Sequence, residues 1–510
     1  MRAGSRIKSI AARFPGFAAA IRPAAHALIA VATRDNVTWA KHKLGMDTRS
    51  QWEKEHDDAA ARIEAEAQHH ALVMTELARD AAEAKKRLMG ALSDPSAFGI
   101  GNRASGNAVL MIVVSDLRVD PRVEREARAL AAAGYAVTIL CPDPTLGKDP
   151  GVAVNWGPGV DARFVDWRAS HYVSERPGFE GGLLFDIALR VAEALKPLAI
   201  HSHDLNTGLV AYALARMTGA HLVIDFHEWT SENVHWDLLT LAWKPYPAEW
   251  RQELKALEHR LVLEASASIT VSEHIAQAIS AEIAGQRSIH LVRNVPNVSI
   301  EPTRPYSSLK EVLGVPDGQF LLLYQGGTGP TRLLEPIIEA MAYAPRCVLV
   351  VRGPSLDLYG ESYRQIARVG GFADRLILLP PVPSRDVVAA ANGADAGIYS
   401  VLGLGKNFIY AMPNKIFEYA AAGLPVLAAD YPEARRFVEV NGLGLTFDPL
   451  DPMAIARAIN SLIGDATLTD GFRANAAKLI CHLKQNDEWE KLVALYRDLP
   501  RRSLASRCGQ

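Results

Sequence analysis

Glu418 is the one carboxylate in "PNKIFEYAAAG" (413–423), a run otherwise dominated by apolar residues. A charge in such a setting is costly unless paired. A carboxylate accepts two hydrogen bonds side by side, as from the adjacent hydroxyls of a ribose. Just ahead of it, Pro413 suits a first helical turn, where its missing N–H costs nothing. The N–H groups of Asn414 and Lys415 are then free at a helix start, where the macrodipole favours an anion and the lysine adds its own charge. Hydroxyls at Glu418 and phosphates at Asn414 and Lys415 describe a grip on a nucleotide.

A second anion-binding feature is "GGTG" (326–329) followed by Arg332. Gly326 and Gly327 open a strand-to-helix turn that presents backbone N–H groups, and the guanidinium supplies a fixed charge. The turn lacks the spaced glycines and later acidic partner of a dinucleotide fingerprint, and the chain has no Walker sequence. Elsewhere His203, Asp204 and Asn206 end one apolar run, and His227 and Glu228 end another. Imidazole is the side chain whose charge is most easily set near neutrality, which makes His227 a candidate for catalysis. No Asp-x-Asp pair and no close His and carboxylate set suits a divalent ion. A metal-independent site without a resident cofactor is therefore expected.

These residues need elements to hold them. Buried strands alternate with helices from residue 107 onward: "NAVLMIVVS" (107–115), a helix "PRVEREARALAAAG" (121–134), "YAVTILC" (135–141), "PLAIHSHD" (197–204), a helix "TGLVAYALARMTG" (207–219) and "HLVIDFHE" (221–228). A second series runs from "QFLLLYQGG" (319–327) to "LPVLAAD" (424–430). Strand, helix, strand at this spacing means a parallel, doubly wound sheet. The fold expected is α/β, with two facing Rossmann-like domains and a helical N-terminal extension. Its parts are 1–106 (basic and helical extension with linker), 107–295 (first domain), 296–318 (a hinge with four prolines), 319–485 (second domain) and 486–510 (final helix and tail). Ligands of such sheets bind beyond the carboxyl ends of the strands, where all these polar residues lie.

At 510 residues the chain is long enough for several cores. Its net charge of −2 gives no reason to expect nucleic acid. Residues 1–50 carry +7, leaving −9 for the rest. The four cysteines (141, 347, 481, 508) are far apart, without metal spacing, which fits a reducing compartment and a cytoplasmic location. No apolar run reaches the roughly 20 residues of a membrane helix.

The block "PNKIFEYAAAGLPVLAAD" resembles the donor motif of the retaining, family-four nucleotide-sugar glycosyltransferases, which have the GT-B architecture. The resemblance spans roughly 107–498 and includes "DPRVEREARALAAAGYAVTIL", "HSHDLNTGLVAYALARMTGAHLVIDFHE", "LEHRLVLEASASITVSEHI", "RNVPN" and "YQGGTGPTRLLEPIIEA". It implies a sugar moved from a nucleotide-diphosphate donor to an acceptor hydroxyl, in synthesis of a polysaccharide, glycolipid or other envelope glycan. Residue by residue, it implies that Glu418 binds the ribose, that Arg332 holds the diphosphate and that His227 faces the transferred sugar. His203 and Asp204 resemble residues of the acceptor side. Two departures stand out. Tyr410 occupies the position eight before Glu418 where the family places a first acid, and residues 326–328 lack the family's additional Arg, for which Arg352 is the nearest replacement.

Two rival functions share the architecture: a nucleotide-sugar epimerase, and a non-catalytic binding or assembly module. For the extension, the basic segment 1–50 would suit an anionic membrane surface near a lipid-linked acceptor. The heptad-like run at 51–92 would suit a homo-oligomer, or equally a helix docked on the body.

Overall fold

The structure, a computed structural model, describes residues 106–499 except 119, 144–153, 167–181, 238–239, 241, 297–301 and 486–487, with 86–88, 90 and 93 upstream. The membrane and oligomer expectations for 1–50 and most of 51–92 lie outside these residues. Within the latter run, Leu88 is buried in the first domain's core, and Arg87 forms a bidentate pair with Asp186.

The first sheet contains β1 (Ala108–Ile112), β2 (Ala136–Pro142), β3 (Val160–Val165), β4 (Ala199–His203), β5 (His221–Phe226), β8 (Ala267–Thr270) and β9 (His290–Leu291). Its order is β3-β2-β1-β4-β5-β8-β9, and every pairing is parallel. Parallel strands covered on both faces read as continuous apolar runs, and β1, AVLMI, is such a run. The helices Pro121–Ala132 and Gly208–Thr218 begin and end close to the sequence limits. Asp120 caps the first by accepting from the N–H groups of Arg122 and Val123, and left-handed Gly219 closes the second. Between β5 and β8 a separate hairpin of β6 (Val234–Asp237) and β7 (Ala242–Pro245) pairs Trp236 against Trp243.

The second sheet holds β10 (Phe320–Gln325), β11 (Cys347–Arg352), β12 (Leu376–Leu379), β13 (Ala396–Tyr399), β14 (Val426–Ala429) and β15 (Gly444–Phe447), in the order β12-β11-β10-β13-β14-β15. It too is parallel throughout. In both sheets the order reverses direction beside the first strand, which opens a crevice at the carboxyl ends. The helix Glu488–Asp498 packs back on the first domain, where Trp489, Leu492 and Tyr496 join a core with Val123, Ala127 and Leu130.

The domains meet along a polar seam. The Trp229 N–H donates to Asn407 Oδ1 (2.8 Å), the Ser272 hydroxyl to the Tyr410 carbonyl (2.5 Å), and Glu433 Oε2 lies 2.5 Å from His274 Nδ1. Among the described residues no helix is long and apolar enough to cross a membrane.

Candidate active site

Glu418 lies on the helix Asn414–Ala421, which starts one residue later than expected. Pro413 is its cap residue, with φ −75° and ψ 136°, an extended conformation. The neighbours Ile416, Phe417 and Tyr419 are buried while Asn414, Lys415 and Glu418 are partly exposed, so the three polar groups share the open side. Burial raises the pKa of the Glu418 carboxyl, and Lys415 and Arg125 oppose that rise. Arg125 belongs to the first domain, so a cation from across the cleft already faces the carboxylate. It is held there by donating to Asn294 Oδ1 (2.6 Å) at the edge of the interdomain linker.

Gly326, Gly327, Arg332 and Lys415 converge. Gly326 has φ +135°, and a Cβ on it would lie 2.3 Å from Lys415 Cε and 2.6 Å from Nζ. A Cβ on Gly327 would lie 3.7 Å from Arg332 Nε. Glycine is thus required at 326 both by the backbone and by the lysine in the space a side chain would take. Burial pushes the Lys415 pKa down to about 8, Arg332 adds to the effect, and Glu418 opposes it. Two cations crowded over a glycine turn at a strand end form a seat for a polyanion. Gly326→Ala is expected to displace Lys415 and weaken nucleoside diphosphate binding about tenfold, through loss of one charge-assisted contact; calorimetry measures it.

Two expectations for this half need correction. Arg352 does not reach the cleft: it is 5% exposed and donates inward to the Ala390 carbonyl (2.7 Å) and Gln325 Oε1 (3.3 Å). Tyr410 turns its ring to the first domain. Its short helix, Lys406–Tyr410, ends at an extended Ala411 before the next begins, and its ring stacks on Trp229 (6.3 Å) and His274 (5.5 Å) of the first domain. Tyr410 is therefore part of the domain seam.

In the first domain the strand ends hold a dense charge network. Arg122 donates to both oxygens of Asp225 (2.7 Å each) and lies 3.0 Å from Glu126 Oε1, all fully or nearly buried. His227 Nε2 lies 2.9 Å from Asp225 Oδ2, and His227 Nδ1 lies 3.5 Å from Asp204 Oδ2. Burial opposes charge on His227, but Asp204 and Asp225 outweigh it and push its pKa up to about 10. Asp225, which burial alone would raise, is held well below the usual range by Arg122 and His227. His227 is thereby a fixed cation and hydrogen-bond donor, 17% exposed at the cleft floor.

The other acceptor-side residues separate. His203 is 1% exposed, with Nδ1 3.1 Å from His227 Nε2, so it backs His227 and does not face an acceptor. Asp204, at φ +60°, accepts from the N–H groups of His227 (2.8 Å) and Glu228 (3.1 Å), fixing the turn after β5. Asn206 sits half-exposed in the turn Leu205–Thr207, and Glu228 is exposed and accepts from Asn233 Nδ2 (2.8 Å).

Ligand atoms of Glu126, His201, His203 and Asp225 lie within 4.8 Å of one another. The Arg122 guanidinium already supplies the positive charge in that cluster. The tie from Tyr496 OH to His201 Nδ1 (2.8 Å) brings in the final helix. The sequence reading missed Arg122, Glu126 and Asp225. For Arg122 and Glu126 a signal was present: they are charged positions, four apart, on the same helix stripe as Val123, Ala127 and Leu130.

Residues 119–295 match the glycosyl transferase 4-like domain, and residues 329–465 match the glycosyl transferases group 1. A D-inositol 3-phosphate glycosyltransferase of Salinispora tropica is 26% identical over 390 residues, covering 72% of this chain and 77% of the relative. Among solved structures, sucrose-phosphate synthase from Thermosynechococcus elongatus superposes with a TM-score of 0.59 at 18% identity, over 77% of this chain and 99% of that one. Anabaena Alr3699/HepE in complex with UDP and glucose gives 0.56 at 17% identity, over 77% and 99%. Two Rossmann-like domains facing one another across a polar cleft are the GT-B fold. The two halves of the chain thus resemble glycosyl transferase domains in turn, the first the 4-like domain and the second the group 1 domain.

Proposed function

We propose that this chain is a glycosyltransferase that binds a nucleoside diphosphate sugar along the second domain and passes the sugar, with retention at the anomeric carbon, to an acceptor hydroxyl entering over the first. The observation that carries the reading is the convergence of Lys415 and Arg332 on the Gly326–Gly327 turn, with Glu418 on the next turn of the lysine's helix. The diphosphate would lie against the two cations and the glycine N–H groups, and the ribose hydroxyls against Glu418. The base would extend into the interdomain groove lined by Arg125, Arg385, Val387 and Val388.

In transfer the sugar–phosphate bond lengthens and negative charge grows on the departing diphosphate. Arg332 and Lys415 are fixed where that charge appears, the arrangement most effective at lowering such a barrier. No metal is needed for that role. His227, kept protonated by Asp225 and Asp204, has its Nε2–H turned to Asp225 and would offer its Nδ1–H, 3.5 Å from Asp204 Oδ2, to the transferred sugar. Under retention without a protein nucleophile, the leaving phosphate accepts the acceptor's proton. Closure of the domains would exclude water, which would otherwise consume the donor.

The test is incubation with UDP-, GDP- and ADP-sugars and an acceptor panel including inositol phosphates and lipid-linked glycans, read by mass spectrometry. Transfer with release of the nucleoside diphosphate, unaltered by EDTA and giving the donor's anomeric configuration, is expected. A changed sugar formed without acceptor would show an epimerase. Binding with neither transfer nor hydrolysis would show a non-catalytic module. We also place the enzyme in the cytoplasm, with residues 1–50 drawing it to an anionic membrane and 51–92 available for self-association. Flotation with anionic liposomes that persists after deletion of 1–50 would overturn the membrane part, and an unchanged mass in solution after deletion of 51–92 would overturn the oligomer.

A further inference from the structure

Lys415 keeps its place although its surroundings oppose charge. Its Nζ lies 5.8 Å from the ring centroid of Tyr324 and 5.9 Å from that of Tyr399. On β10 the side chains of Leu322 and Tyr324 join one hydrophobic cluster and those of Leu321 and Leu323 join another, so the two clusters cover opposite faces of the sheet. Tyr324 belongs to the first and Tyr399 to the second. The lysine therefore lies across the carboxyl edge of the sheet, with one aromatic ring from each face, and the bare Cα of Gly326 forms the remaining wall.

Both rings are immobilised. Tyr324 is fully buried and its hydroxyl donates to the Gly327 carbonyl (2.5 Å), while Tyr399 is 6% exposed. The first contact has a second effect: with the Gly327 carbonyl turned toward Tyr324, the N–H of the same peptide unit, that of Thr328, points the other way. An aromatic face attracts a cation, most strongly where water is excluded. The charged groups facing Lys415 are Arg332, from the turn Pro330–Arg332, which opposes its charge, and Glu418, from its own helix, which favours it.

We propose that Tyr324 and Tyr399 are positioning residues of the donor site, an aromatic box that holds the Lys415 ammonium charged and aimed at the leaving diphosphate before the donor arrives. The inference rests on the donor reading above and adds to it the two side chains that make Lys415 effective. Because the Tyr399 ring acts only through the ammonium, its contribution belongs to the phosphates and not to the nucleoside.

The experiment is calorimetry on the full chain with UDP, GDP and ADP, the tightest being carried forward beside its own nucleoside. Tyr399→Leu is expected to weaken the diphosphate about tenfold, as removal of a desolvated cation–π contact would, and to leave the nucleoside unchanged. Tyr399→Phe, which keeps the ring face, recovers most of the affinity. Lys415 is charged below about pH 8, so diphosphate binding falls as pH rises through that value. In Tyr399→Leu the fall moves to lower pH. In a Lys415→Ala background Tyr399→Leu has no further effect.

Equal losses for Leu and Phe, equal losses for nucleoside and diphosphate, or additive effects of the two changes would each overturn the box. If Lys415→Ala itself bound the diphosphate like the parent, the donor reading would fail together with it. A Lys415 effect without coupling to Tyr399 overturns the box alone.

Discussion

Glu418→Ala weakens nucleoside diphosphate binding about 100-fold, while Glu418→Gln, which keeps one acceptor oxygen, loses less. Two hydrogen bonds to a charged acceptor at roughly 1.5–3 kcal/mol each set that scale, after some compensation by water in the open cleft. The loss should vanish for a 2′,3′-dideoxy nucleotide, which lacks the hydroxyls, so the ratio of ribose to dideoxyribose affinity collapses in the variant. Calorimetry on both nucleotides gives that ratio directly. Equal ribose binding by parent and Glu418→Ala would show that the carboxylate serves another group. The pH dependence has a definite sign. Burial raises the carboxyl's pKa, so ribose recognition is lost on acidification sooner than for an ordinary glutamate.

His227→Asn lowers kcat by about 10²–10³, the usual cost of removing one pre-aimed donor from a site of charge development, and changes donor KM much less. Steady-state kinetics at saturating acceptor separates the two. The histidine is a donor and not a base because Asp225 and Asp204 keep it protonated up to about pH 10. Its ordinary value is 6.5, so the raised value in the fold also stabilises the protein. That contribution is complete below pH 6.5 and is lost as pH rises toward 10. Thermal melts of the parent should decline across that window, and His227→Asn should lack this part of the slope. Asp225→Asn is expected to lower the pKa of His227 and bring a new alkaline limb into the rate profile. An unchanged profile would place the proton's control elsewhere.

Much of the site was legible because binding chemistry follows local pattern. Glu418, Lys415 and Asn414 share one helix start, and Gly326, Gly327 and Arg332 share one turn, so spacing alone groups each set. The directions of Tyr410 and Arg352 were not legible for a common reason: each depends on what the side chain packs against. An extended Ala411 turns Tyr410 toward the first domain, and the carbonyl of Ala390, 38 residues from Arg352, draws that guanidinium inward. The family resemblance put His203 on the acceptor side, yet pairing of His203 with Asp225 between β4 and β5 puts its ring behind His227.

Apolar runs alternating with amphipathic helices sufficed to determine the two parallel sheets, because period and burial are properties of short stretches of chain. The same local character marked a nucleotide grip around Glu418. Only the tertiary structure decided that Arg122 and Asp225, 103 residues apart, fix the charge of His227, and that Arg125 approaches Glu418 from the other domain. The aromatic rings around Lys415 likewise come from strands far apart in the chain. A pKa and an aimed ammonium are set by whatever charges and faces the fold brings within a few ångströms, and that distance is not encoded in spacing along the chain.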